Sequence, residues 1–440
     1  MRSWLTGIAI GALIGVTIVG FSSKGWSEDS PRDPRQETYR QLDLFAEILA
    51  RAQADYVVEI DETEAMEAAI NGMLTSLDPH SGYMAPDDFR DMQVQTSGEY
   101  GGLGIEVTME DGFVKVVTPM DDTPASRAGL ESGDLFTAID GRPIIGRTLN
   151  DAVKEMRGAV GTDITITILR ENVDPFDVTL TREVIRPKSV VSRMEDGDIG
   201  YLRVSTFNER TTVLLDEALD TVSGATGGRP TGLVLDLRNN GGGLLDQAVS
   251  VSDMFLSSGE VVSTIGRRPT DIDRYNAQRG ERFKGVPIIV LINGGTASAA
   301  EIVAGALQDR NRATVLGTLS FGKGSVQTVI PLGADRGAIR LTTARYYTPA
   351  GRSIQSTGIE PDIEVASTRI SEEEMEKIRR FSEADLPNAF DNESGEGRRA
   401  PHVPADQPPE GYEGDDYQLE RALEILREGA QTASVGSNSG

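Results

Sequence analysis

Two segments of this chain share one pattern, an apolar strand followed by a loop of small residues and then a helix, and this pattern constrains the fold more than any other feature. The first unit has a strand at Gly232–Leu237, a glycine-rich loop at 238–243 and a helix at Leu244–Leu256. The second has a strand at Val286–Ile292 and a helix at Ala297–Gln308. Strands that alternate with helices predict an α/β core. If the two strands are parallel neighbours, both loops emerge at one edge of the sheet, where sites in open α/β folds tend to lie.

Composition limits the chemistry that this edge can carry. The chain has no cysteine, which excludes disulfides, thiol catalysis and thiolate metal sites. Its two histidines are His80, in a turn, and His402, in a proline-rich tail, so most zinc sites and a Ser-His-Asp triad are disfavoured. We therefore expect no metal and no cofactor. The net charge of −26 argues against nucleic acid as a partner.

Ser298 and Lys323 are the candidate nucleophile and base. Ser298 lies in the turn N-G-G-T-A-S-A-A-E, and a serine hydroxyl is a poor nucleophile until a base removes its proton. The remaining bases are carboxylates and lysines, and a lysine must have its pKa lowered from about 10.4 to roughly 7 to 8. Lys323 suits this role, because F-G-K-G-S has no acidic neighbour and has glycine on both sides of the lysine. Lys188 and Lys284 lie in ordinary surface contexts.

Three further groups complete this hypothesis. The N–H of Ala299, in the first turn of its helix, has no intrahelical acceptor and suits a developing oxyanion. The glycine loop at 241–243 lets a second donor approach closely, and Gln327 can orient the Lys323 amine without adding charge. The competing interpretation is structural, since Ser, Ala and Gly at such junctions often serve close packing alone.

The segment at 97–185 has a different texture, with short β-branched runs between glycine turns. It resembles a PDZ domain over its whole length, because G-L-G-I is followed in order by P-A-S-R-A-G-L and G-D-L-F-T-A-I-D-G-R. The resemblance implies that Leu103, Gly104 and Ile105 bind a substrate's terminal carboxylate through backbone N–H groups, and that a strand edge pairs with the peptide. Protein substrates with apolar C-termini are then expected. A β-domain that acts only as a spacer is the alternative.

The two ends of the chain predict other elements. The apolar run in residues 1–26 predicts a signal peptide or a membrane anchor, and either places the body outside the cytoplasm. Residues 27–96 predict helices that pack on the chain's own core or on a partner. Residues 369–440 form an acidic tail, with predicted disorder from about Asp385 to Gly414. A terminal helix at Tyr417–Arg427 either caps the fold or docks on a partner subunit, and we expect a homo-oligomer.

The motifs together resemble one family. The PDZ-like segment precedes D-L-R-N-N-G-G-G, N-G-G-T-A-S-A-A-E-I, F-G-K-G-S-V-Q, L-T-T-A-R-Y-Y-T-P-A-G-R-S-I-Q and G-I-E-P-D. This order, between about Leu77 and Val365, is similar to that of the carboxyl-terminal processing proteases, a Ser-Lys peptidase family. The resemblance implies an α/β peptidase core at 186–368 of crotonase-like or ClpP-like strand–loop–helix units, with an inserted PDZ domain at 97–185 and helical segments at both ends. It implies a serine endopeptidase of exported proteins, periplasmic or otherwise extracytoplasmic, with an inner-membrane anchor as one option.

The resemblance also implies a role for each site residue. Ser298 would be the nucleophile, Lys323 the general base and Gln327 the residue that positions the base. Ala299 and Gly242 would form the oxyanion hole.

In this family the PDZ domain gates the active site. Arg157, in R-G-A-V-G-T, matches the arginine that links PDZ occupancy to the catalytic core. One departure is that Gly241 stands where the family usually has proline, which loosens the loop and leaves open whether the site is aligned at rest. The need for an adaptor protein is open as well.

Three rival functions compete with this interpretation. A PDZ scaffold with an inactive peptidase fold is disfavoured because Ser298, Lys323 and Gln327 occur together. The histidine count disfavours a triad protease, and an acyl-CoA enzyme would leave the PDZ segment without a purpose.

Overall fold

The computed structural model describes residues 34–268, 270–278, 280–333, 335–371, 382–395 and 402–437. The chain folds into two compact units, one that ends at Ala65 and one that starts at Met66. The N-terminal elements are helices α1 and α2, strand β1 and helix α3: Pro34–Asp55, Glu62–Thr75, Gly82–Met84 and Pro86–Ser97.

The segment that resembles a PDZ domain is a separate antiparallel sheet with its own apolar core. Its sheet has the strand order β3-β4-β5-β7-β8, and β2 pairs with β9, so that the start and end of the segment lie together. Alternate residues of β7 are buried, as expected for a sheet that covers its core with one face. Its elements are β2 Tyr100–Gly102, β3 Ile105–Glu110, β4 Phe113–Pro119, α4 Pro124–Arg127, β5 Leu135–Ile139, β6 Arg142–Pro143, α5 Leu149–Met156, β7 Asp163–Leu169, β8 Phe176–Thr181 and β9 Glu183–Ile185.

The following segment forms two further sheets and the remaining helices. The elements are β10 Val190–Glu195, β11 Ile199–Val204, α6 Thr211–Ala225, β12 Gly232–Asp236, α7 Leu245–Asp253, β13 Gly259–Gly266, β14 Ile272–Ala277, β15 Ile288–Ile292, α8 Ala299–Asp309, β16 Thr314–Gly317, β17 Ser325–Pro331, β18 Ala338–Tyr347, β19 Ile363–Glu364, a 3-10 turn Glu383–Asp385 and α9 Tyr417–Ser437.

The central sheet has the order β10-β11-β12-β15-β16-β19 and is parallel except for β10. Every residue of β12 and β15 is buried, because helices cover both faces of a parallel sheet. Helices α6, α7 and α8 contribute to the apolar core on one face, and α9 packs on the other. β12 and β15 are parallel neighbours, so the two predicted loops do meet at one edge.

A second, antiparallel sheet completes the fold, with the order β1-β18-β13-β14 and with β17 paired to β18. The sequence pattern did not predict the β13–β14 pair. Because β1 pairs with β18, the turn at Asp78–Ser81 that precedes β1 is brought against the β17–β18 hairpin.

The C-terminal region is folded onto the core where the structure describes it. Leu419, Leu423 and Leu426 of α9 pack on the central sheet, so this helix caps the chain's own fold. The predicted disorder from Asp385 is wrong for residues up to 395, because Asn392 is buried and its amide donates to the carbonyl of Gln355 at 2.9 Å. An acidic composition did not prevent folding here, because the buried polar groups have partners.

Candidate active site

The turn between β15 and α8 holds Ser298 in a strained backbone conformation. Ser298 is the N-cap of α8, with φ of 55° and ψ of −117°, a region that costs of order 1–3 kcal/mol for a non-glycine residue. Thr296 supports the turn, since its hydroxyl accepts from the N–H of Asn293 at 3.0 Å and donates to the carbonyl of Leu237 at 2.9 Å. Ser298 is 7% exposed. One serine hydroxyl is thus placed at a helix N-terminus.

The carboxylate of Glu301 lies beneath two turns of the site. It is fully buried and accepts from the N–H groups of Ser298 at 2.8 Å, Gly322 at 2.8 Å and Lys323 at 2.9 Å, and from the hydroxyl of Ser320. Burial raises the pKa of Glu301 to about 7, although these hydrogen bonds favour the charged form. One side chain therefore joins the backbone of the Ser298 turn to that of the Lys323 turn.

Lys323 lies on the turn that precedes β17. The turn is tightly packed, because a Cβ on Gly324 would lie 2.5 Å from the backbone nitrogen of Gln355. Burial lowers the pKa of Lys323, while the nearby Glu383 carboxylate opposes this effect and Arg340 supports it. A lowered pKa is what a lysine base requires near neutral pH.

No hydrogen bond joins the side chains of Ser298 and Lys323 within the part of the chain that the structure describes. The Ser298 hydroxyl lies near the phenol of Tyr346; burial raises the pKa of this phenol to about 12, and the nearby hydroxyl opposes the rise. The N–H of Tyr346 donates to the carbonyl of Gly324 at 2.7 Å. Tyr346 therefore contacts both turns of the site.

The glycine loop at 238–243 lies against the Ser298 turn. The N–H of Ala297 donates to the carbonyl of Asn240 at 2.9 Å, and a Cβ on Gly242 would lie 2.9 Å from the Cβ of Ser298. Gly242 has a φ of 102°, which a side chain would strain further. Its N–H donates to Oδ1 of Asn240 at 2.9 Å. The N–H of Ala299, in contrast, has no acceptor among the described residues.

Gln327 is anchored through its amide nitrogen. A bulge in the β17–β18 pairing lies between Val326 and Gln327, and such bulges redirect side chains. Nε2 of Gln327 donates to the hydroxyls of Ser325 at 3.0 Å and Thr342 at 3.2 Å, and the Thr342 hydroxyl donates to Asp78 at 3.0 Å. Over the described ranges, no hydrogen bond joins Gln327 to Lys323.

His80 lies in the surroundings of the lysine turn, although its sequence context did not suggest a role. Its Nε2 is 2.9 Å from both carboxylate oxygens of Glu383, whose side chain is 1% exposed. Gln355 donates to Glu383 at 3.1 Å and accepts from the N–H of Gly324 at 3.0 Å. Lys323 has no acidic neighbour along the chain, but the fold brings distant carboxylates close to it.

A second buried network anchors the start of the glycine loop. Asp236, at the end of β12, is fully buried and pairs with Arg238 at 2.7 Å and with the hydroxyl of Tyr201 at 2.7 Å. Burial alone would raise the pKa of Asp236, but the bonds from Arg238 and Tyr201 hold it below its ordinary value. Arg238 also pairs at 2.6 Å with Asp416, directly before α9. The C-terminal helix is thereby tied to the loop that flanks Ser298.

A groove of about 190 Å³ lies between β3 and α5 of the antiparallel domain, and it is lined by Leu103, Gly104, Ile105 and Arg157 among others. Gly104 has a φ of 75°, and a Cβ there would lie 2.3 Å from Thr123. The Arg157 guanidinium lies 4.5 Å from the ring centroid of Tyr100. Tyr100 and Arg157 also line a charged cleft of about 520 Å³ beside α3. The three predicted peptide-binding residues and the predicted gating residue Arg157 therefore line one groove.

Comparisons with known proteins agree with these domains. Peptidase family S41 matches residues 198–365, a PDZ domain matches 115–170, and the N-terminal domain of the activating protease CtpB matches 17–88. A carboxy-terminal-processing protease of Bartonella bacilliformis is 51% identical over 398 residues, which are 89% of each chain. This chain belongs to the carboxy-terminal processing proteases of peptidase family S41.

Two more distant S41 matches follow. The carboxy-terminal processing protease CtpA of Bacillus subtilis is 32% identical over 338 residues, covering 76% of this chain and 69% of that relative. Among solved structures, a photosystem II D1 C-terminal processing protease is 30% identical with a TM-score of 0.44, and the match covers 81% of this chain and 98% of the other.

Membership in the S41 family confirms three predictions: the family itself, the α/β fold with a PDZ domain, and a serine-type peptidase. The roles of individual residues stay predictions. The structure places Ser298, Ala299, Lys323 and Gly242 at one edge of the central sheet, with Gln327 on the adjoining hairpin.

Sequence reasoning about this S41 peptidase missed Glu301, His80, Glu383 and Asp416. Only Glu301 had a local signal, because a Glu three residues after a Ser at the start of a helix has the spacing of a capping box. The other three act across large sequence separations, which no local pattern reports.

The predicted signal peptide or anchor in residues 1–26 lies outside the described residues. Of the helices that the structure describes, none is long and apolar enough to cross a membrane. Within the same ranges, no group of His, Asp and Glu side chains is arranged to hold a metal ion.

Proposed function

We propose that this S41 peptidase is an endopeptidase in which Ser298 is the nucleophile and Lys323 the general base, and that it cleaves exported proteins whose apolar C-termini bind the PDZ domain. The observation that carries the proposal is Glu301, which accepts from the backbone N–H groups of both residues. The two histidines of the chain pair with glutamates instead, His80 with Glu383 and His402 with Glu364. A lysine base is therefore the better match to this site.

The reaction follows from these positions. Unprotonated Nζ of Lys323 accepts the hydroxyl proton of Ser298 while Oγ forms a bond to the scissile carbonyl carbon. The carbonyl π electrons move to oxygen, and the N–H of Ala299 donates to the resulting oxyanion. When the C–N bond breaks, the Lys323 ammonium returns its proton to the leaving amine. Water then hydrolyses the acyl-enzyme ester by the same proton route.

The site must rearrange before the first step. Among the described residues no hydrogen bond joins the Ser298 hydroxyl to Lys323, and the N–H of Gly242 donates to Asn240. Rotation of Ser298 toward Lys323 and release of Gly242 from Asn240 would close the dyad and supply a second oxyanion donor. We infer that the flexibility of the glycine loop serves this change.

Gln327 would assist by orienting the lysine. Its Nε2 is held by Ser325 and Thr342, which leaves Oε1 to accept from the Nζ of Lys323. An amide oxygen can orient an amine in this way without the full negative charge that would raise the lysine pKa.

The test uses the purified full chain and an unfolded protein substrate that ends in apolar residues, beside the same substrate ending in aspartates. Ser298→Ala and Lys323→Ala should each lower kcat/KM by about 1,000-fold or more, and Gln327→Ala by about 10-fold. Lys284→Ala is the control, because Lys284 is an exposed lysine away from the site. The dyad assignment fails if either alanine variant cleaves like wild type. An inactive wild type with intact peptide binding would favour a PDZ scaffold.

Arg157 tests the role of the PDZ domain. We expect Arg157→Ala to lower turnover more than the affinity for a C-terminal peptide, because the guanidinium lies at the edge of the groove rather than within the G-L-G-I loop. Equal losses of turnover and affinity would count against gating by this residue.

The exported location rests on the apolar run in residues 1–26. Fractionation of cells that express the full chain should recover it outside the cytoplasm, and recovery in the cytosol would contradict this part of the proposal. The homo-oligomer and the adaptor remain predictions from the sequence.

A further inference from the structure

The proposed mechanism leaves the pair of His80 and Glu383, two ionisable side chains close to the lysine turn, without a role. Nε2 of His80 lies 2.9 Å from each Glu383 oxygen, and the side chains are 17% and 1% exposed. Because this contact is largely removed from water, it is not an ordinary surface pair of the kind that contributes little.

Glu383 is attached directly to the lysine turn. Its N–H donates to the carbonyl of Phe321 at 3.2 Å, and Gln355 bridges its carboxylate to the N–H of Gly324. Of the charged groups that act on Lys323, Glu383 has the largest effect. The carboxylate comes from the C-terminal segment at 382–395, more than fifty residues beyond the lysine in the chain.

This position poses a problem for a lysine base. Lys323 must lose its proton to activate Ser298, and an adjacent unpaired carboxylate favours the ammonium form. The charged groups around Lys323 come from four elements: Glu383 from the C-terminal segment, Arg340 from β18, Glu301 from α8 and Asp78 from the turn before β1. Three of these four groups are acids, so their effect must be offset if Lys323 is to lose its proton.

His80 is placed to offset the acid with the largest effect, Glu383. Its ring contacts Glu383, and its backbone is fixed on both sides, since its N–H donates to Asp78 at 2.8 Å and its carbonyl accepts from Arg340 at 2.9 Å. The same Asp78 accepts from Thr342, which holds Gln327. The turn at Asp78–Ser81 thus reaches both the proposed base and the residue that orients it.

We propose that His80 is a positioning residue for catalysis that acts through Glu383: its Nε2–H donates to the buried carboxylate, so that Lys323 can act as a base without an unpaired anion beside it. The inference rests on the proposed Ser298–Lys323 mechanism. It adds to that mechanism a part for the N-terminal turn and for the C-terminal segment, which together set the charge around the base.

The experiment is a double-mutant cycle read from pH profiles of kcat/KM on the full chain. Activity should rise with pH as Lys323 loses its proton. His80→Gln exposes Lys323 to the Glu383 charge, so the rising limb should move to higher pH by at least about half a unit, a loss of about threefold at a fixed pH on that limb. Glu383→Gln should move the limb to lower pH. In the Glu383→Gln background, His80→Gln should then have no further effect.

The matched control is His402→Gln. His402 also pairs with a glutamate, Glu364, but no contact or charge effect links this pair to Lys323 among the described residues. The rising limb of the pH profile of the His402→Gln variant should coincide with that of wild type. A purely structural role for His80 would lower kcat/KM at every pH, as any loosening of the fold would, and would leave the limb in place.

A second measurement separates this inference from the dyad proposal. In Ser298→Ala protein, the rate at which an amine-acylating reagent labels Lys323, followed by peptide mass spectrometry across pH, reports the protonation of Lys323 without any cleavage. His80→Gln should shift this labelling curve to higher pH when Glu383 is present, and should leave the curve in place in the Glu383→Gln background. An unshifted curve overturns the inference even if the dyad is correct, and a shifted curve supports it even if Lys323→Ala retains activity.

Discussion

The turn of the proposed nucleophile Ser298, here called the nucleophile half, and the turn of the proposed base Lys323, the base half, are held in place by different kinds of interaction. Around Ser298 the support is local: a strained turn, the first turn of α8 and the Glu301 carboxylate three residues away. Around Lys323 it comes from distant side chains, among them Asp78, Thr342 and Glu383. In a local arrangement, removal of one buried group should abolish most of the activity and stability. In a distributed arrangement, removal of one group should lower the activity only partly.

The largest effect is expected from Glu301, because its buried carboxylate holds both the Ser298 turn and the Lys323 turn. Glu301→Ala would leave the donors of Ser298, Ser320, Gly322 and Lys323 buried without their acceptor, at about 1–3 kcal/mol for each unsatisfied group. We expect a stability loss of about 4 kcal/mol or more and the loss of nearly all activity. Urea unfolding and kcat measure the two effects. A loss below about 1 kcal/mol would show that the two halves are not joined through this carboxylate.

The pH dependence of stability tests the same residue. The folded-state pKa of Glu301 is about 7, above its ordinary value of 4.5, so the folded protein keeps a proton that the unfolded chain releases. This contribution to stability is fully present below pH 4.5 and is lost as pH rises through 7. Between these limits wild type should lose about 3 kcal/mol relative to Glu301→Gln. Chemical denaturation at several pH values measures this difference. The prediction is contradicted if the free energy of unfolding changes with pH in the same way for wild type and for Glu301→Gln.

A third test contrasts two neighbouring glycines of the loop. A Cβ at Gly242 meets the Ser298 turn, whereas a Cβ at Gly241 meets nothing within 4 Å. Gly242→Ala should lower kcat by about 100-fold through displacement of the oxyanion site. Gly241→Ala should keep activity and add about 0.4–1 kcal/mol of stability by restricting the unfolded chain. Similar activities for the two variants would show that the glycine loop does not contribute to the oxyanion site.

The smallest effect is expected in the base half. Thr342→Val removes the hydroxyl that links Gln327 to Asp78, while Ser325 still holds Gln327. We expect a decrease in kcat of about fivefold with little change in KM. Thr328→Val is the matched control, because the Thr328 hydroxyl forms an exposed pair with Thr343 on the same hairpin. A decrease in kcat as large as that of Glu301→Ala would mean that the two halves respond in the same way to the loss of one supporting group.

Local sequence pattern was sufficient to select Ser298 as the proposed nucleophile and Lys323 as the proposed base. Ser298, Ala299 and the glycine loop could be predicted because the strand, the small-residue turn and the helix follow one another directly in the chain. Lys323 could be predicted from its flanking glycines and from the shortage of histidine. The PDZ groove was predictable for the same reason, since Leu103, Gly104 and Ile105 are consecutive.

The surroundings of the base could not be predicted in this way. His80 had only the signature of a turn that ends a helix, and Glu383 lay in a stretch whose acidity predicted disorder. They meet because β1 pairs with β18 and because the segment at 382–395 folds back onto the lysine turn. Asp416 and Arg238 meet only through the docking of α9 on the central sheet.

The sequence by itself therefore determined the family, the α/β core, the PDZ domain and the residue types available for catalysis, because each depends on residues close together in the chain. The tertiary structure decided which charges surround Lys323, which groups hold the glycine loop, and that Tyr346 lies near Ser298. Several of these contacts join residues more than forty positions apart, such as Glu383 with the Lys323 turn and Arg238 with Asp416, and the burial and charge pairing that produce them leave no periodic pattern in the sequence.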